Sequence, residues 1–252
     1  MLALTIGLSV APNQYLTVVE EHEPVPDKPP QSAPEPRRKL AVDIDAVFPR
    51  IVSADPGQRR EALDKIGISW MAERGPKEAR LFAVNVDSDA DFERVLIVTS
   101  NLDAGAVLFK KENGIWWQLG SFTRCASGSQ LPDPFVELRQ IVWYGTNDLI
   151  VHAPGPHGTG VGELRLKIYR VWKGRLYKVF DVVEWAYNLS ASESSRITYP
   201  GTDSYTSPRV IVVRRSQETQ NRRKATCIPY LWDANRFFFV QIPPAQGLCK
   251  HE

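Results

Sequence analysis

Three aspartates at alternate positions open the chemistry of this chain. Asp87, Asp89 and Asp91 lie in the run Asp87-Ser88-Asp89-Ala90-Asp91-Phe92-Glu93-Arg94, and hard oxygen donors spaced in this way are what Ca2+ requires. The plain alternative is a solvated acidic turn that keeps two strands from mispairing. His152 and His157 bracket Ala153-Pro154-Gly155-Pro156, and His157 begins the loop HGTGVGE. Its glycines at 155, 158, 160 and 162 can bring backbone N–H groups towards an anion or a sugar. No Gly-Lys-Ser/Thr follows and the next element reads as a strand, so this is not a phosphate-binding P-loop. A long hairpin loop explains the same residues without a ligand.

Further candidates are aromatic and basic. Trp116 and Trp117 are adjacent on a strand pattern, so one faces the core and the other faces out. An exposed Trp117 can stack on a sugar or dock a partner, or it can pack between layers. Arg214-Arg215 and Arg222-Arg223-Lys224 enclose the polar loop SQETQN and make a local basic patch. His157, Trp117, Arg215, Arg222 and Arg223 are therefore the candidate ligand contacts. Motifs for zinc proteases, nucleophile-elbow hydrolases and nucleotide-binding P-loops do not occur. No catalytic residue is assigned, although triads assembled in space are invisible to spacing.

The three cysteines, Cys125, Cys227 and Cys249, lack the close spacing of a zinc knuckle or a redox pair. Cys125 and Cys249 each fall a few residues past the last strand of a repeat, which makes them the first choice for a disulfide. Three buried thiols are the other reading. The net charge is +2, with 31 basic and 29 acidic residues. That balance gives no global field for nucleic acid or an anionic membrane.

The elements that must position these groups are mostly strands. In residues 163–171 Leu164, Leu166 and Ile168 alternate with Arg165, Lys167 and Tyr169, the period of a half-buried strand. Lys173-Gly174 breaks the run, and residues 175–182 resume it, so the pair reads as a hairpin. The figure recurs with turns at Asn113-Gly114 and Ala234-Asn235. Each repeat comprises four strand-like segments, giving repeats at about 80–125, 135–185 and 195–245 within a β domain spanning 80–252. A four-stranded sheet cannot cover both of its faces, so neighbouring units should pack face to face. The short apolar runs 95–98, 149–151 and 210–213 should be their inner strands.

One helix is expected over residues 55–74, within an N-terminal segment 39–79. Asp55 is its N-cap, Pro56 its first residue, Gln58 reaches back in a capping box, and Gly75-Pro76 stops it. Leu63, Ile66 and Trp70 share one face and should plug the sheets. Residues 20–38 are rich in proline and charge and read as a disordered tether. Residues 1–11 are apolar and too short to span a bilayer. A signal peptide with a truncated start, within a leader over 1–19, an N-terminal strand and a cytosolic tail all remain open readings.

At the acidic loop the chain resembles the FG-GAP and VCBS-type repeats of β-propellers, where a strand, an acidic loop and a short apolar strand form each blade. The resemblance covers about the last two thirds of the chain. It implies blade-like repeats, an extracytoplasmic binding role, and calcium at Asp87, Asp89 and Asp91. Phe92 stands where that family has glycine, Arg94 adds a cation, and Gly145-Thr146-Asn147-Asp148 and Gly201-Thr202-Asp203 lack the triplet.

The expected fold is all-β: three blade-like four-stranded antiparallel repeats, propeller-like and open or incomplete, with one capping helix. A β-sandwich or barrel is the alternative. The expected function is a non-catalytic periplasmic or secreted binding or scaffolding module with a protein or glycan partner. It involves no nucleic acid and no transmembrane span. A carbohydrate or ester hydrolase, and a structural subunit that self-associates through blade edges, are the alternatives, and a cytoplasmic setting stays open.

Overall fold

A computed structural model describes residues 32–249, except 74–77, 88, 90, 101–102, 126–134, 143–144, 156–157, 201–208, 221 and 245–247. The proposed leader and the tether up to residue 31 lie outside the described residues.

The chain is all-β, built as two antiparallel sheets, neither of them closed. The five-stranded sheet has the order β1-β5-β4-β3-β2. Its strands are β1 (Arg38–Lys39), β2 (Glu78–Val84), β3 (Glu93–Thr99), β4 (Asp103–Glu112) and β5 (Ile115–Cys125). The eight-stranded sheet runs β13 to β6 in unbroken sequence order. It comprises β6 (Val136–Arg139), β7 (Asp148–Pro154), β8 (Gly162–Trp172), β9 (Arg175–Tyr187), β10 (Ala191–Thr198), β11 (Val210–Thr219), β12 (Arg222–Asp233) and β13 (Phe238–Gln241).

Strands β2–β5, β6–β9 and β10–β13 each run as an antiparallel meander, but as stretches of two sheets and not as three separate four-stranded units. The second and third are joined, because β9 pairs with β10 through Ser192↔Tyr187 and Ser194↔Trp185. A flat sheet would hold β9 and β13 about 19 Å apart, four strand spacings. Instead Phe180 of β9 meets Phe239 of β13 with ring centroids at 5.8 Å. The sheet therefore curls, and the inner faces of repeats two and three enclose one core containing Ile150, Ile168, Phe180, Ile211 and Phe239. The opposite face of repeat two packs on repeat one through Val151, Tyr169 and Leu176 against Leu108, Leu119 and Phe122. Repeat one turns Leu96, Val107 and Phe109 towards the helices.

The turns show why the strands pair in this way. Asn113 and Gly114 have φ of 51° and 78°, and Lys173 and Gly174 have 47° and 66°. Two successive positive φ values match the twist of the flanking strands and fix their register. The third turn differs from the expected Ala234-Asn235 pair. It occupies residues 234–237, with Asp233 accepting from the amides of Asn235 and Arg236. Phe237, at φ 53° and 2% exposed, is held left-handed among Trp172, Tyr177 and Trp232.

The single helix expected over 55–74 is interrupted. α1 (Ile44–Ile51), unanticipated because Pro49 lies inside it, is capped by Asp43. α2 (Pro56–Lys65) starts at the expected Asp55 cap, whose carboxylate accepts from the Gly57 amide. Gln58 meets the Ser53 hydroxyl at 3.3 Å instead of closing a capping box. Gly67, at φ 83°, ends the turn before α3 (Ser69–Glu73). Leu63 and Ile66 are buried as expected. Trp70 lies over β4 at Gly105, where a Cβ would come within 2.9 Å of its ring.

From Ser32 the supposed tether is ordered. Ser32 donates to the Lys178 carbonyl at 2.9 Å, and the Glu35 amide donates to the Leu176 carbonyl at 2.8 Å. Arg37 pairs with Glu112 and lies 3.9 Å over the Trp117 ring. This strap therefore ties hairpin β4–β5 to hairpin β8–β9.

The disulfide is Cys227–Cys249, with Cα atoms 5.9 Å apart, and not the expected Cys125–Cys249 pair. Cys125 ends β5 in the other sheet, opposite Asp103. Cys249 follows β13, whose pairing with β12 leads the chain back beside Cys227. No helix among the described residues is long and apolar enough to cross a membrane.

Candidate functional site

The acidic loop between β2 and β3 folds around a lysine. Lys110 of β4, 4% exposed, brings its Nζ to 2.6 Å from Asp87, 2.5 Å from Asp89 and 2.7 Å from Glu93. The loop is held by successive turns in which Asp87 accepts from the Asp89 amide and Asp89 from the Asp91 amide. Glu93 also accepts from the Val86 amide at 3.1 Å. Burial opposes the lysine's charge, but the hydrogen bonds it donates to the three carboxylates hold its pKa well above the usual range. Burial pushes the Asp87 and Glu93 carboxyls up. At Asp89 desolvation is again the largest single effect, but the Lys110 hydrogen bond and charge, together with the Asp91 amide, outweigh it and the pKa falls.

The carboxylate oxygens of Asp87, Asp89 and Glu93 lie within 4.8 Å of one another, and the ammonium takes the point where they converge. As arranged, these residues do not fit a calcium ion, because metal and ammonium would contend for one centre. Asp91 lies outside this set of converging oxygens.

The other sequence candidates are dispersed. Trp116 is buried against the helices, whereas Trp117 is half-buried beneath the Arg37 guanidinium. Arg215 pairs with Glu193 at 3.0 Å, while Arg222 and Arg223 are exposed at the β11–β12 tip. His157 lies outside the described residues.

Two constellations escaped the sequence reading. In the first, buried Arg170 of β8 donates to Asp148 at 2.7 Å, and Asp148 accepts from the amides of Ile141 and Val142. In the second, His152 of β7 sits between carboxylates, with Nδ1 at 2.7 Å from Glu184 and Nε2 at 3.3 Å from Glu137. Burial alone would lower the imidazole pKa, but Glu184 first and Glu137 second raise it.

Strand register builds this second site. Glu137 pairs with Ile150, so His152, two residues on, shares its face. His152 pairs with Leu166, which pairs with Val182. Between Val182 and Trp185 the ladder slips, since Leu164 opposes Trp185 while Arg165 opposes Val183. Glu184 is the extra residue of that bulge and turns onto the histidine. Bulges re-aim side chains in this way beside binding sites.

Glu137, Arg139, His152, Leu166, Glu184 and Tyr199 line a cleft of about 330 Å3. Arg139 bonds Glu137 at 2.8 Å and lies 5.4 Å from the Tyr199 ring. Burial, with Glu137 adding to it, raises the Tyr199 phenol pKa, so its hydroxyl stays protonated and can donate.

Known proteins offer no match. No family model, no curated protein and no solved structure matches this chain. Neither His152 nor its carboxylates carried a local signal, because Glu137 and Glu184 lie 15 and 32 residues away in sequence. The alternation breaks at Val182-Val183-Glu184, which marks an irregular strand but not the partner of Glu184.

Proposed function

We propose that the chain is a non-catalytic extracytoplasmic binding module that takes a neutral, hydroxyl-rich ligand, a glycan, in the His152 cleft. The observation carrying this reading is the bulge at Glu184, which places a carboxylate on a histidine at the mouth of a cleft. The lining alternates acceptors and donors: Glu184, His152, Glu137 and Arg139. Each charge has a partner within 3.3 Å. Such a surface offers many hydrogen bonds and little uncompensated charge, which suits sugar hydroxyls better than a charged ligand. The Cys227–Cys249 bridge supports the extracytoplasmic setting, since disulfides persist in oxidising compartments.

A hydrolase is the second reading, because a histidine–carboxylate contact in a cleft is what acid–base catalysis uses. Against it, both ring nitrogens face carboxylates, which leaves neither free to accept a substrate proton. We also infer that the three meanders are degenerate FG-GAP-type blades in an open array. Their sequential strand order, and the turn geometry that the first two share, support that kinship.

Calorimetric titration with a panel of neutral mono- and disaccharides tests the binding reading. Saturable heat with at least one sugar, and none after Glu184→Gln, is expected. Turnover of nitrophenyl glycosides or esters that depends on His152 would replace it with the hydrolase.

A further inference from the structure

One rim of the eight-stranded sheet gathers apolar side chains that the fold leaves in water. Among the described residues seven large hydrophobics are exposed, and four of them, Val161, Trp185, Tyr187 and Leu189, lie at this rim. Leu189 is 90% exposed at the β9–β10 turn. The Trp185 and Tyr187 rings lie 4.8 Å apart on the adjoining stretch of β9. The β7–β8 loop meets the same turn, because a Cβ on Gly160 would come within 2.8 Å of Leu189.

Basic side chains flank this patch. Ala191 opposes Thr219, and Thr219 opposes Arg222. Two strand spacings of about 4.8 Å therefore separate the β9–β10 turn from the β11–β12 tip. Arg222, Arg223 and Lys224 are exposed there. Of the acids nearby, Glu193 is engaged by Arg215 and Gln217, and Glu218 stands opposite Arg223. The rim keeps a positive surplus.

We propose that this rim docks the protein on an anionic lipid bilayer. Leu189 and Val161 enter the headgroup boundary, Trp185 and Tyr187 lie at its level, and Arg222, Arg223 and Lys224 meet lipid phosphates. Aromatic side chains with one apolar and one polar end settle at membrane interfaces. Clustered basic residues add attraction to an anionic leaflet. A sulfated glycan would use the cations but would leave Leu189 without a role, which favours lipid. The inference is independent of the His152 cleft, which opens on the inner face of the same sheet.

Flotation of the full chain with vesicles of phosphatidylcholine, alone or mixed with phosphatidylserine, tests it. The protein should float with the mixed vesicles, less so at high salt and little with phosphatidylcholine alone. Leu189→Asp, and separately Arg222→Glu with Arg223→Glu, should each weaken partitioning about tenfold or more while leaving the thermal midpoint in place. Three outcomes overturn the proposal. The first is no flotation, or equal flotation with both vesicle types. The second is flotation with the mixed vesicles that Leu189→Asp leaves intact while heparin competes it away, which makes the rim a polyanion patch. The third is absence of flotation together with a dimer in sedimentation velocity that Leu189→Asp dissolves, which makes it a contact between copies.

Discussion

In repeat one Glu93 opens β3 and stands across the ladder from Lys110; in repeat two Asp148 opens β7 and stands across from Arg170. Each base lies four residues before its turn glycine, Gly114 or Gly174. Five residues after each glycine comes the extra residue of a bulge, Leu119 in one repeat and Val179 in the other. The two repeats therefore share a frame and diverge in its use. The Arg170 fork and Asp148 make one neutral pair whose remaining oxygen binds two backbone amides, a closed clamp on the β6–β7 loop. Lys110, a compact ammonium, instead gathers three carboxylates, and one of them, Asp89, reaches solvent. Repeat three has no acid there. Arg209 and Trp232 meet through the backbone, and Trp232 packs on Phe237 and Phe239. Among the described residues only repeat two shows a second bulge, and it supplies Glu137, His152 and Glu184 to a cleft that Tyr199 of repeat three also lines. A buried ion pair thus serves as scaffold, and the site arises where one further residue is inserted.

Arg170→Met should have the largest effect. It leaves Asp148 charged and fully buried, and chemical denaturation should show a loss of about 3–5 kcal/mol. Cys249→Ser tests the repeat that lacks a buried ion pair at that ladder position. Opening a bridge across 22 residues should cost about 3 kcal/mol, measured the same way. Lys110→Met should cost less, about 2 kcal/mol, because Asp87 and Asp89 can reach water or protons. Its deficit should shrink at mildly acid pH, where the stranded carboxyls protonate. An equal loss in the Arg170 and Lys110 variants would erase the distinction between clamp and cage. A smaller effect concerns the cleft. His152 has a folded pKa above its unfolded value, so its contribution is complete below the ordinary histidine range and is lost as pH rises through the folded pKa. A stability profile should decline over that alkaline side, and His152→Gln should flatten it. The smallest effect expected is none: with Lys110 in the cage, adding calcium or chelator should leave the thermal midpoint of the native chain unchanged.

Local pattern revealed the strands, and non-local pairing hid the sites. Alternation in residues 163–171 and the Asn-Gly and Lys-Gly turns marked hairpins, because strand period and turn geometry are properties of neighbours in sequence. The acidic triplet was visible, but its occupant, Lys110, comes from the next strand but one. His152 was noticed beside His157, yet its carboxylates arrive from β6 and β9 through register. Proline and charge in residues 32–38 suggested disorder. Backbone bonds to β9 and the Arg37 contacts order that strap, and composition does not encode them. The path of the chain after β13, which brings Cys249 to Cys227 and not to Cys125, has no local signature.

Saturation-transfer NMR with a sugar that titrates the native chain, repeated on Glu184→Gln and Asp89→Asn, separates the cleft from the lysine cage. Transfer should reach the native chain and Asp89→Asn, and should be absent in Glu184→Gln. Transfer that survives Glu184→Gln but vanishes with Asp89→Asn would place the ligand at the lysine cage and contradict binding in the cleft.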